Sequence, residues 1–149
     1  MKLLFSLFLS ILFIQGNTQT TCDTLVNKIL MVGDSWSNFP VSFGSFEKNL
    51  DRFGFTNIGV FSNTTTLSVN GAETHDFLTP AGKTAIQTAL NNNPTIEIVN
   101  LSIGGNDILN NWNKSMDTIS TDSLLDATML RIDSIILYLK SVKSSVKIY

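Results

Sequence analysis

Three apolar runs of strand length, "KILMVGDS" (28–35), "TNIGVFS" (56–62) and "TIEIVNLSIGGND" (95–107), recur along the chain with helical patterns between them. That alternation limits the fold more than any other feature. Continuous apolar runs of this length are typical of strands buried on both faces, as in a sheet covered by helices. Between the first two runs, "FGSFEKNLDRFG" (43–54) sets Phe43, Phe46, Leu50 and Phe53 at helical spacing, which predicts a helix with Phe43, Phe46 and Phe53 in the core. Thr79-Pro80 then supplies an N-cap with proline at the first helical position, Ile86 and Leu90 continue the stripe, and "NNNP" stops it. From Ser123, with Asp126 three residues on, the pattern of a capping box opens a last helix carrying Leu125, Met129, Ile132, Ile136 and Leu139 on one face. "SVKIY" begins a fourth strand. The order of elements predicts an α/β fold, a parallel sheet sandwiched between helices.

Composition restricts the partners. The chain has 149 residues, 43% of them hydrophobic, enough for one domain with a real core, here placed at 28–149. Ten basic residues stand against twelve acidic ones with no basic run, so nothing implies nucleic acid. At the start, Lys2 is followed by "LLFSLFLSILFI" and the small and polar "QGNTQT", the layout of a secretory signal peptide over residues 1–20 with cleavage between Gly16 and Thr20. Twelve apolar residues fall short of the roughly 20 that span a bilayer, so the expectation is a secreted or periplasmic protein with no stable membrane span after cleavage. Loss of Lys2 leaves nine basic and twelve acidic residues, a formal charge of −3. Cys22 is the single cysteine, which excludes an intrachain disulfide and a cysteine zinc cluster.

Right-handed crossovers deliver every loop after a parallel strand to the carboxyl edge of the sheet. Three loops then meet there: "GDSWSN", "TTTLSVNGAETHDF" and "GGNDILNN". With strand order 2-1-3-4 the crevice opens beside Ser35 and Asn106, where open α/β sheets bind ligands. A serine at a strand end is a nucleophile if a base takes its proton and donors stabilise the oxyanion it creates. The N–H of Ser35, the N–H of Gly71 and the side-chain amide of Asn106 are candidate donors, and the pair Gly104-Gly105 lets the backbone come close enough to aim Asn106 inward. Asp34 and Asp107 are read as loop brackets that bond backbone N–H groups, not as metal ligands.

"GDSWS", "GAET" and "GGND", in that order after successive strands, resemble three of the four sequence blocks of the SGNH hydrolases, also called GDSL lipases and esterases. The resemblance spans roughly residues 29–110. It implies a flavodoxin-like three-layer α/β/α sandwich, Ser35 as nucleophile, and Ser35, Gly71 and Asn106 as the oxyanion hole, with Gly33, Asp34, Gly104, Gly105 and Asp107 supporting the loops. It also implies cleavage of carboxylic esters, whether small-molecule, lipid or polysaccharide, without metal or cofactor. Trp36 replaces the leucine of the commoner motif, which bears on substrate and not on mechanism.

The fourth block, an Asp-x-x-His that supplies the base, has no counterpart: the sole histidine, His75, lies four residues past Gly71. The expectation is therefore a truncated domain whose catalytic histidine lies outside this chain and which is itself inactive or unstable. The alternative is a secreted module on the same fold that binds a ligand or glycan without turning it over. Other motifs fail. "AGKT" (81–84) has Phe77 where a phosphate loop needs glycine, and "GDSWS" ends on Ser37 where the nucleophile elbow of the α/β-hydrolases has glycine. Asn63, Asn100 and Asn113 head glycan-acceptor triplets, Asn100 inside a strand; Trp36 and Trp112 either cover the core or wall an acyl pocket.

Overall fold

A computed structural model describes residues 25–149; the proposed signal peptide and Cys22 lie outside the described residues. Strand β1 (Val26–Gly33) leads into helices α1 (Ser35–Ser42) and α2 (Ser45–Arg52), then β2 (Ile58–Phe61). A 3-10 turn (Thr74–Leu78) precedes α3 (Pro80–Asn92), β3 (Ile98–Ser102), α4 (Gly105–Asn111), α5 (Thr118–Val142) and β4 (Lys147–Ile148). All four strands are parallel, in the order β2-β1-β3-β4. The chain therefore moves outward from β1 to β2 and returns to the other side of β1 for β3. That reversal sets the carboxyl ends of β1 and β3 side by side, with Gly33 in register with Ser102.

Strand alternation sorts the apolar residues onto two faces. Leu30 and Val32 of β1 and Val99 of β3 meet Ile86, Ala89 and Leu90 of α3 and Ile135 and Leu139 of α5 in the main core. Leu30, Ile86, Ile135 and Leu139 have no solvent exposure, and each such side chain contributes roughly 1.5–3 kcal/mol by leaving water. Ile29 and Met31, buried as well, point to the opposite face. There α2 is tied to β2 by Glu47, whose carboxylate accepts from the Val60 N–H at 3.1 Å. Thr79 caps α3 as its sequence predicts, its hydroxyl accepting from the Gly82 N–H at 3.1 Å with Pro80 next in the chain.

Two helices differ from the sequence expectation. The 43–54 stripe assumes one continuous helix, but Gly44 adopts a left-handed φ of +58° and separates α1 from α2. Phe43 and Phe53 become the C-caps of these helices and are 73% and 76% exposed, while only Phe46 and Leu50 are partly buried. The last helix starts at Thr118 and not at Ser123, because Asp117 accepts from the Ser120 N–H at 2.7 Å and caps it earlier. Its buried face runs through Thr128, Ile135 and Leu139, leaving Leu125 and Met129 exposed. A threonine in the buried stripe turns that face away from the one the larger apolar residues suggest. The stretches "GDSWSN" and "GGNDILNN", read as loops, instead open helices α1 and α4 directly at the carboxyl edge.

Candidate active site

Gly33 ends β1 because no side chain fits there. Its φ is +148°, and a Cβ at this position would lie 1.9 Å from the Ser102 carbonyl oxygen and 2.8 Å from Ser37 Oγ. Its neighbours close in from both sides. The Gly33 N–H donates to the Leu67 carbonyl at 2.7 Å and its carbonyl accepts from the Val69 N–H at 2.9 Å, while the next N–H, that of Asp34, reaches the Ser102 carbonyl at 2.9 Å. One residue thus joins the loop after β2 to the end of β3.

Asp34 is the N-cap of α1. Its carboxylate accepts from the Trp36 N–H at 2.9 Å and lies under the start of α4, with Oδ2 3.8 Å from where a Cβ on Gly105 would sit. Ser35 follows as the first helical residue, partly exposed, so its N–H belongs to the first turn, where helix geometry provides no acceptor. An N–H at the start of a helix also carries the positive end of the helix dipole. Beneath it, Ser37 Oγ donates to the Val32 carbonyl at 3.1 Å, Asn38 Nδ2 donates to the Ser68 carbonyl, and Ser68 Oγ donates to the Met31 carbonyl at 3.2 Å. These buried polar groups hold the end of β1 rigid; sequence reading had assigned them no part.

The second and third loops meet beside this helix start. Asn106 is the second residue of α4 and donates from Nδ2 to the Ala72 carbonyl at 2.9 Å. A side-chain amide has two N–H groups, so this bond leaves one to donate elsewhere. Gly71, immediately before Ala72, has φ +79° in the turn closed by the Ala72 N–H on the Val69 carbonyl at 3.1 Å, and space extends at least 4 Å beyond its missing Cβ. The three segments that carry Ser35, Gly71 and Asn106 are therefore linked by named bonds. Gly104, at φ +108°, caps α4 with Ile132 and Thr128 of α5 packed 3.1 and 3.4 Å from where its Cβ would be.

Asp107 is completely buried and acts as the bracket its sequence position suggests. Oδ2 accepts from the Thr74 N–H at 2.8 Å, Oδ1 from the Thr74 hydroxyl at 2.5 Å, and Arg131 Nη1 stands 3.2 Å from Oδ1. Thr74 lies three residues after Gly71. Arg131, 24 residues beyond Asp107 on α5, carries no sequence signal of this role.

His75 is exposed, and both ring nitrogens face carboxylates of its own turn, Nδ1 at 3.4 Å from Glu73 and Nε2 at 3.2 Å from Asp76. Trp36 and Trp112 are 76% and 48% exposed, so neither covers the core. A cavity of about 590 Å³ lined by Phe61, Leu67, Ala81, Ala85 and Ala89 opens beside the edge strand β2. The candidate site is marked by the hydrogen bonds that tie its three loops together and not by this volume. Among the described residues no group of three or more His, Cys, Asp or Glu side chains is placed to hold a metal ion, and no helix is long and apolar enough to cross a membrane. No protein-family model and no curated protein matches the chain.

Proposed function

We propose that this chain is a secreted serine hydrolase domain of the SGNH type that acts on carboxylic esters, with Ser35 as nucleophile and a general base supplied from outside the sequence. The bond from Asn106 to the Ala72 carbonyl carries this reading, because it holds the third loop against the second at the glycine whose N–H is the remaining donor. As the general base takes the hydroxyl proton, Ser35 Oγ bonds to the ester carbonyl carbon and the carbonyl oxygen becomes an oxyanion; the same proton passes to the leaving alkoxide. The Ser35 N–H, the Gly71 N–H and the second Asn106 N–H would share that charge, and the alcohol leaves as the tetrahedral species collapses to an acyl-serine. Water, giving a proton to the base, then attacks the acyl carbon, the bond to Ser35 Oγ breaks, the carboxylic acid leaves and the proton returns to Oγ. Donors fixed before the reaction do not reorganise during it, which is why such a hole contributes more than the same groups in water.

A serine hydroxyl is a weak nucleophile near neutral pH, and both ring nitrogens of His75 face carboxylates of its own turn, Glu73 and Asp76. Hydrolases that lose one triad member still keep about 10³- to 10⁴-fold acceleration over water from the oxyanion hole and binding. The reading is therefore testable on the chain as it stands. The purified protein should accelerate cleavage of a short-chain aryl ester slowly but measurably, and Ser35→Ala should remove the acceleration with the fold intact. A second reading follows from the position of His75: the same crevice binds an ester or glycan without turnover. Binding of an acetylated oligosaccharide with no acyl transfer to Ser35 would favour it and exclude the hydrolase reading.

A further inference from the structure

Two of the three proposed oxyanion donors, Gly71 and Asn106, come from separate segments, so their spacing depends on what joins those segments. Gly71 lies in the turn after β2, and Asn106 lies on α4. Three side chains of α4 grip the three residues after Gly71. Asn106 donates to the Ala72 carbonyl at 2.9 Å, Asn110 Nδ2 to Glu73 Oε1 at 2.7 Å, and Asp107 accepts twice from Thr74. These contacts differ in strength. The Asn110–Glu73 bond is exposed and competes with water, whereas Asp107 and Thr74 are both completely buried.

A carboxylate that takes an N–H and an O–H from the same residue fixes that residue in distance and in rotation; a single bond leaves it free to swivel. Arg131 reaches the same carboxylate from α5, and its positive charge offsets the cost of holding the acid out of water. Asp107 directly follows Asn106, and Thr74 lies three residues after Gly71. A displacement at this junction therefore moves one oxyanion donor relative to the other.

We infer that Thr74 and Arg131 are positioning residues for the oxyanion hole, acting through Asp107 to set the Gly71–Asn106 spacing. The inference rests on the serine-hydrolase reading of the same site. Neither residue touches the reacting atoms. Removing the Thr74 hydroxyl leaves one bond where two had defined the geometry, and displacements on the order of 1 Å near reacting groups lower rates by about 10²-fold.

The experiment measures acylation of Ser35 by p-nitrophenyl acetate in the full chain, followed by mass spectrometry over a range of ester concentrations. Thr74→Val keeps the volume and removes the hydroxyl. Its limiting acylation rate should fall by about 10²-fold with the half-saturating ester concentration unchanged. Thr74→Ser should restore most of the rate. Arg131→Gln should lower the rate in the same direction and Arg131→Lys less, and because Arg131 is partly exposed these variants decide the matter if Thr74→Val does not fold. A network that only supports the fold would lower the unfolding midpoint and leave the rate of the folded molecules unchanged. Ser35 acylation in the parent chain with wild-type rates in folded Thr74→Val and Arg131→Gln overturns the inference alone. Absence of Ser35-dependent acylation in the parent chain overturns the hydrolase reading, and this inference with it.

Discussion

Replacing Gly33 by alanine puts a methyl carbon 1.9 Å from the Ser102 carbonyl oxygen and 2.7 Å from its carbonyl carbon. Both are backbone atoms of a paired strand, so no side-chain rotation relieves the clash. Widening that contact from 1.9 to an ordinary 3.4 Å means a shift of about 1.5 Å, which breaks the 2.9 Å bond from the Asp34 N–H to the same Ser102 carbonyl. Alanine at φ +148° also adds backbone strain of roughly 1–3 kcal/mol, and overpacking a closed site costs about 1–3 kcal/mol more. The expected loss is about 2–6 kcal/mol, a large part of the roughly 5–15 kcal/mol that holds a domain together. Urea unfolding followed by circular dichroism measures it, with Gly71→Ala as the control. Gly71 has a positive φ of +79° but nothing within 4 Å of its Cβ position, so only the backbone cost of about 1–2 kcal/mol applies. Equal losses in the two variants, or a loss below about 1 kcal/mol for Gly33→Ala, would refute the close approach that sets Ser35 beside β3.

Four further outcomes are expected. Asn106→Ala should lower Ser35 acylation by about 10²- to 10³-fold, the usual effect of deleting one oxyanion donor, as read by mass spectrometry of the acyl-enzyme. Asp107→Ala leaves the buried Thr74 hydroxyl and Arg131 without their acceptor and should cost about 2–4 kcal/mol in urea unfolding, toward the lower end because Arg131 is partly exposed. His75→Ala should leave the acylation rate unchanged, since the ring is occupied by Glu73 and Asp76. The Ser120 hydroxyl and N–H hold the Asp117 carboxyl below the ordinary aspartate value of 3.8. A folded value below the unfolded one means that Asp117 stabilises α5 above about pH 4 and loses that contribution as pH falls through the folded value. Thermal melts of wild type and Asp117→Ala should therefore converge in acid.

The sheet was legible because its signals are local and redundant. The strands β1 and β3 are apolar runs closed by glycine, and the positive φ of Gly33 and Gly104 is a backbone need that only a residue without a side chain meets easily. Crossover handedness places the loops at one edge, and the strand order 2-1-3-4 on which the crevice beside Ser35 and Asn106 depends is the order the structure has. Helix phase was less legible. Phe43 and Phe53 match the helical period as well as any core residue, yet the left-handed Gly44 breaks the helix between Phe43 and Phe46, and Phe53 is the exposed C-cap of α2. Leu125 and Met129 mislead for a related reason: Thr128 and Arg131 face inward toward Gly104 and Asp107, and polar residues on a buried face leave no apolar period to read. The convergence of Asp34 on Gly105 and of Asn106 on Ala72 lies in the tertiary structure alone, since the partners in each pair are 71 and 34 residues apart.

The central claim, that Ser35 is a nucleophile facing a formed oxyanion hole, is tested most directly by locating the acyl group. After brief exposure of the full chain to p-nitrophenyl acetate, peptide mass spectrometry should find the acetyl group on Ser35 ahead of every other serine and every lysine. Ser35→Ala should remove that adduct without moving it to Ser37. Acetylation spread over the exposed lysines, with Ser35 no more reactive than Ser42 or Ser45, would contradict the account.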